Sequence, residues 1–138
     1  MDNFLKSNRR KLRGVLAVCM IVAGILHFAI TDPFVTIVPG FLPFPAALVY
    51  ISGVIEIVLG AALLVPQTQR LAAWGLVALF IAVYPANINM AVNDLLLEEV
   101  PNSWIVHVVR LPLQFVLIAW AYWFTRPAPA ADLEAPAD

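Results

Sequence analysis

Charge is scarce in this chain. Lys, Arg, Asp and Glu make up only 12% of its 138 residues, against 62% hydrophobic residues, and mean hydropathy is +0.89. A water-soluble domain of this length could not cover its surface with so few charges. Cysteine occurs once, at Cys19, so there is no CxxC pair and a dithiol–disulfide oxidoreductase is excluded. Cys19 itself reads as a small buried hydrophobe. Histidine occurs only at His27 and His107, and Glu56 is the only acid deep inside any apolar stretch. No Lys or Arg occurs from Thr31 to Pro45 or from Ala91 to Ser103.

What fills the chain instead is four apolar stretches at about 12–30, 46–65, 71–90 and 104–124. Roughly 20 apolar residues cross the ~30 Å hydrocarbon layer, so the expected fold is all-α, an integral membrane four-helix bundle. Lys6, Arg9, Arg10, Lys11 and Arg13 crowd residues 1–12 and the start of the first stretch, Arg70 follows the second, and Arg126 follows the fourth. Basic residues stay on the cytoplasmic side, which puts both termini inside and the two Lys/Arg-free connections outside. Trp74, Trp120 and Trp123 then fall at inner ends and Trp104 at an outer end, as an aromatic belt would. The net charge of −1 carries no such signal, and no nucleic-acid partner is expected. The first stretch is long, and His27-Phe28-Ala29 is a poor cleavage site, so it reads as a retained signal anchor. Its basic arm, residues 1–12, reads as a topology determinant that could also grip anionic lipid.

Between the first two stretches lie Pro33, Pro39, Pro43 and Pro45, interleaved with Phe34, Phe41, Leu42 and Phe44. Proline lacks the amide donor and restricts its neighbour, so this segment reads as a non-helical loop that lies on the membrane surface or folds over the outer mouth of the bundle. Pro66 to Arg70 reads as a tight inner hairpin making helices two and three antiparallel neighbours. The tail, 125–138, is acidic and Pro/Ala-rich and reads as disordered.

Polar groups inside a bilayer are expensive and are functional suspects by default. Counted from the outer ends, His27 and Asn87 lie ~6 Å deep, Arg110 ~9 Å, and Glu56 and Gln114 ~15 Å, with His107 shallower. This predicts a cavity with an outer mouth and a polar floor near the midplane. His107, Arg110 and Gln114 recur at i, i+3 and i+7, one stripe of helix four. Ser52, Glu56 and Gly60 recur every four residues on helix two, with Gly53 adjacent, which lets a neighbouring backbone come close. Glu56 and Arg110 are expected to pair, directly or through Gln114 and water, either as a proton or ligand site or as an ion pair fixing helix register. Pro85 should release a carbonyl for Asn87 or Asn89, with a capped helix end as the other role for Asn89. Two separated histidines, one intramembrane carboxylate and one thiol do not make a first shell for haem or metal, so no tightly bound cofactor is expected.

The pattern Gly24-Ile25-Leu26-His27-Phe28, Ile37-Val38-Pro39, Tyr50-Ile51-Ser52-Gly53-Val54-Ile55-Glu56, Leu64-Val65-Pro66 with Arg70, Tyr84-Pro85-Ala86-Asn87-Ile88 and Arg110-Leu111-Pro112-Leu113-Gln114 resembles the DoxX-like membrane proteins of bacteria. The resemblance runs from about Val15 to Trp120 and places His27, Glu56, Asn87, Arg110 and Gln114 on motif positions. It implies a domain over about 13–124, a four-helix bundle in the bacterial cytoplasmic membrane, related in fold to eukaryotic sterol-binding bundles. One branch of that family supplies the membrane subunit of a thiosulfate:quinone oxidoreductase, others are associated with redox or stress systems, and most members have no assigned activity. Fold does not fix function. Three readings stand: binding of a lipophilic molecule, quinone-like or lipid, by Glu56, Arg110, Gln114, His27, Asn87 and His107, as a subunit of a redox-linked complex; a structural or assembly subunit; and a small transporter that would have to be a homo-oligomer. No catalytic constellation sufficient for an independent enzyme is present.

Overall fold

The structure, a computed structural model, describes residues 2–93 and 103–127; the expectations for Asp94, Glu98, Glu99 and the tail beyond Pro127 lie outside them. The described residues form five helices: α1 (Asp2–Ala29), α2 (Thr31–Ile37), α3 (Pro45–Leu64), α4 (Gln69–Val92) and α5 (Ser103–Thr125). Four of these are long and apolar enough to cross a membrane, over Asn8–Ala29, Pro45–Leu64, Gln69–Val92 and Trp104–Thr125. Their ends fall within a few residues of those read from hydropathy, except that α1 continues helical through the basic arm to Asp2.

The helices associate as two pairs, α1 with α3 and α4 with α5, while α3 and α4 are joined by a tight turn. Thr68 closes that turn, its hydroxyl donating to the Ala62 carbonyl at 2.7 Å and its amide to Val65 at 3.1 Å. Glycine sets the closeness of the first pair. A Cβ built on Gly24 would lie 2.6 Å from the Gly53 carbonyl oxygen, and one on Gly60 would lie 2.9 Å from that of Ala17. Backbone at that range cannot give way, so only glycine fits, as in small-xxx-small contacts between membrane helices. Sequence spacing pointed to Gly53 and Gly60; their partner is α1.

The two pairs meet at what we call the basic end, where α1 begins, α3 turns into α4 and α5 finishes. Leu16, Ala17, Leu63, Ala72, Ala73, Leu76, Ala121 and Phe124 pack there into a core that is nearly or fully buried. Two arginines clamp this end. Arg9 is buried, donates to the Arg126 carbonyl at 2.9 Å and the Trp123 carbonyl at 3.4 Å, and lies over the rings of Trp123 and Phe124. It thereby satisfies carbonyls at the C-terminus of α5, where a cation also suits the helix dipole. Arg13 donates to Gln69, the buried first residue of α4.

At the opposite end the expectation of a non-helical connection is corrected. α2 is a seven-residue helix, and Pro33 sits in its first turn, where a missing amide has no intrahelical acceptor to leave unpaired. Pro45 opens α3 for the same reason. Counting prolines without their helix positions misread the segment. The Thr31 hydroxyl donates to the His27 carbonyl at 2.9 Å, joining α2 to the end of α1, and Phe44, at φ 53 in the left-handed region, turns the chain into α3.

Candidate functional site

Away from the basic end the pairs part around a cavity of about 700 Å³. α2 and the segment after it roof it with Phe34, Ile37, Val38 and Leu42. Its polar lining comes from all four long helices: His27 on α1, Ser52 and Glu56 on α3, Asn87 on α4, Arg110 and Gln114 on α5. Five of the six residues expected at the site thus face one space. His107, although buried, is not part of the cavity wall. The helical stripe joined it to Arg110 and Gln114, and of the three only those two line the cavity.

The direct form of the expected Glu56–Arg110 pair is not made. Among the described residues, the partner of Glu56 is His27, with Nδ1 3.2 Å from Oε2 and both side chains about nine-tenths buried. The same Nδ1 lies 2.7 Å from the Ala23 carbonyl oxygen. A carbonyl only accepts, so Nδ1 carries the hydrogen and directs it at Ala23. Glu56 Oε2 is left with this close contact and no hydrogen bond, and is buried without another partner. Phe34 of the roof stacks on the His27 ring at 4.0 Å between centroids, with 20° between the planes. Ser52 contributes a hydroxyl that is likewise buried in the cavity wall without a hydrogen bond.

Across the cavity the amides are wired in series. Gln114 Nε2 donates to the Phe80 carbonyl at 2.8 Å, Asn87 Nδ2 to Gln114 Oε1 at 3.2 Å, and Arg110 Nε to Asn87 Oδ1 at 3.0 Å. The Phe80 carbonyl fixes which end of Gln114 donates, and that choice fixes Asn87 in turn. Asn87 therefore orients Arg110 rather than satisfying a carbonyl released by Pro85. Asn89 bonds no carbonyl released by Pro85; it lies at the capped end of α4, accepting from Asn93 Nδ2 at 2.7 Å, and its own Nδ2 donates to the Ile37 carbonyl at 2.9 Å, latching α2 onto α4.

The polar groups form a band of wall, not a floor. Below them the cavity continues toward the basic end between Leu16, Cys19 and Met20 of α1 and Leu117 and Trp120 of α5. The polar-floored cavity expected from depth counting is corrected on this point: its base is apolar. Trp120 accordingly turns inward, whereas Trp74 and Trp104 are exposed as a belt requires. Cys19 is exposed and lines the cavity, contrary to its reading as a buried hydrophobe. Sequence periodicity missed Ser52 as an unpaired hydroxyl and Phe34 as the ring on His27; both lie where α2 and α3 meet α1, a contact that no spacing within one helix encodes. Among the described residues, no three His, Cys, Asp or Glu side chains are grouped as a metal centre would need.

No curated protein and no solved structure matches the chain. Residues 16–125, which hold every polar residue of the cavity and all but the first turns of the bundle, match the model of a family described as a domain of unknown function (DUF8561), and the chain belongs to that family.

Proposed function

We propose that the chain is a multi-pass protein of the bacterial cytoplasmic membrane with both termini inside, related to the DoxX-like bundles, and that it binds a lipophilic small molecule, quinone-like or lipid, as a subunit of a redox-linked membrane complex. The observation that carries this reading is the cavity: about 700 Å³, apolar over most of its wall, with six polar side chains among its lining. Pockets that bury small molecules have this size and this economy of polar groups. The orientation rests on the basic residues, which gather at one end of the bundle while the roofed end has none outside Arg110. In that orientation the cavity faces outward beneath α2, and its apolar base lies among the membrane-spanning segments, where a lipophile partitions.

Purification in mild detergent, followed by organic extraction and mass spectrometry, tests the reading. A quinone or lipid held in stoichiometric amount by the native chain, and depleted in Ala23→Phe, which projects a ring into the cavity from its wall, is the expected result. An extract with nothing beyond bulk lipid, identical in the two proteins, would sink it.

A further inference from the structure

Arg110 is the one Lys or Arg among the residues that line the cavity, and among the described residues no carboxylate stands beside it. Glu56 stands beside His27, and Asn87, Gln114 and the Phe80 carbonyl are neutral. Among the described residues, Arg110 makes one hydrogen bond, through Nε to Asn87, and no carboxylate lies within ion-pair distance. Its two Nη atoms are left as donors. The guanidinium is half-buried and set in a wall of mostly apolar side chains. A charge held away from water without a counter-ion is costly, and a guanidinium cannot shed its proton cheaply as an imidazole can. The amide series from Phe80 also makes the position deliberate: it spends Nε on orientation and presents the Nη fork, the geometry that grips a carboxylate or phosphate with two parallel hydrogen bonds.

The rest of the cavity says what must be attached to that anion. From Arg110 to Trp120 is ten residues along α5, ~15 Å at the helical rise. That is about half of the ~30 Å hydrocarbon layer, the reach of one acyl chain in one leaflet. Over this length the wall changes from polar to apolar, ending on Leu16, Met20, Leu117 and Trp120. A rigid two-headed molecule would leave polar groups at the apolar end; a head with a single chain matches both halves.

We infer that the cavity takes a single-chain amphiphile with an oxyanion head, a carboxylate or a phosphate, whose head is gripped by the Arg110 Nη atoms and whose chain runs down to Trp120. This rests on the proposal that the cavity holds a lipophile and narrows it to an acidic one.

The test is equilibrium binding of tritiated palmitate to the purified full-length chain in a neutral detergent, competed by methyl palmitate, a single-chain lysophosphatidate, inorganic phosphate and a short-chain neutral quinone. Palmitate and lysophosphatidate should compete for one site, and whichever is tighter identifies the head as carboxylate or phosphate. Methyl palmitate, which keeps the chain and loses the charge, should bind about tenfold or more weakly, as expected for a lost charge-assisted hydrogen-bond pair. Arg110→Gln should weaken palmitate by a similar factor and leave methyl palmitate unchanged, with Arg110→Lys retaining part of the difference. If Arg110→Gln does not fold, the acid–ester comparison in the native chain decides alone. Equal binding of acid and ester, or binding of the quinone but not the acids, overturns the oxyanion inference and leaves the lipophile reading standing. Displacement of palmitate by inorganic phosphate alone would make this a headgroup site and overturn the amphiphile. Binding of none of these probes removes both.

Discussion

Glu56 has His27 as its one partner among the described residues, whereas the His27 ring also bonds the Ala23 carbonyl, and this makes the two halves of the pair unequal. His27→Ala leaves the buried Glu56 carboxyl with no polar neighbour and should cost about 2–3 kcal/mol. Glu56→Leu leaves the His27 ring still bonded to the Ala23 carbonyl, and its loss should be nearer about 1 kcal/mol, a missing polar contact. Unfolding in mixed micelles, with the double variant completing the cycle, measures both; equal losses that simply add would mean that the groups do not interact. Reading polar depths along each helix put five of these residues between the outer end and the midplane, and the cavity wall holds all five. It could not say which face of α1 turns to α3, so it matched the two opposite charges it could see and overlooked His27. Burial made Arg110 and Glu56 look like mutual solutions. In the fold each is solved separately, one by an imidazole and the other by a cavity.

The helices show where sequence patterning carries and where it stops. Apolar runs of about 20 residues fixed the four long helices to within a few residues, because length and hydropathy are properties of one segment. The glycines needed the partner's position. Gly14 has nothing within 4 Å of a Cβ, whereas Gly24 would drive one into the Gly53 carbonyl. Gly14→Ala should therefore stabilise by about 0.5–1 kcal/mol through helix propensity, and Gly24→Ala should destabilise by pushing α1 off α3. Thermal melts in detergent that moved both variants in the same direction would refute the close contact. α2 is the second case. Its prolines were read as breakers, yet their places in a first turn make them starters, and its fastenings are tertiary: Phe34 on His27, and Asn89 on the Ile37 carbonyl. Asn89→Ala should release the end of α2, raising amide exchange over Val35–Val38 by about tenfold, the worth of one hydrogen bond. Unchanged exchange there would show that the latch does not hold the roof.

The distribution of charge over the whole molecule and the clamp at its basic end bear on one another. Of the eight Lys and Arg residues, all but Arg110 lie in the first helix's N-terminal part, at Arg70 or at Arg126, so one end of the bundle holds the basic residues. In the orientation we propose from the positive-inside rule, that end is cytoplasmic. Arg9 and Arg13, however, are also spent on the fold, bonded to α5 and to Gln69. Arg10, Lys11, Arg70 and Arg126 are exposed and left to meet the membrane surface. The two roles separate by substitution. Arg9→Gln should loosen α1 from α5 and lower thermal stability without changing topology, because the remaining basic residues still outnumber those at the other end. Replacing Arg10, Lys11 and Arg70 together by Gln should spare the clamp and weaken orientation. Single cysteines in a Cys19→Ser background report both outcomes: at Gln67, in the α3–α4 turn, an impermeant thiol reagent should fail to label intact cells, and at Gly40, beyond α2, it should label. Labelling at Gln67 in the otherwise native chain would turn the protein over. The cavity would then face the cytoplasm, and its amphiphile would have to come from the inner leaflet instead of the outer.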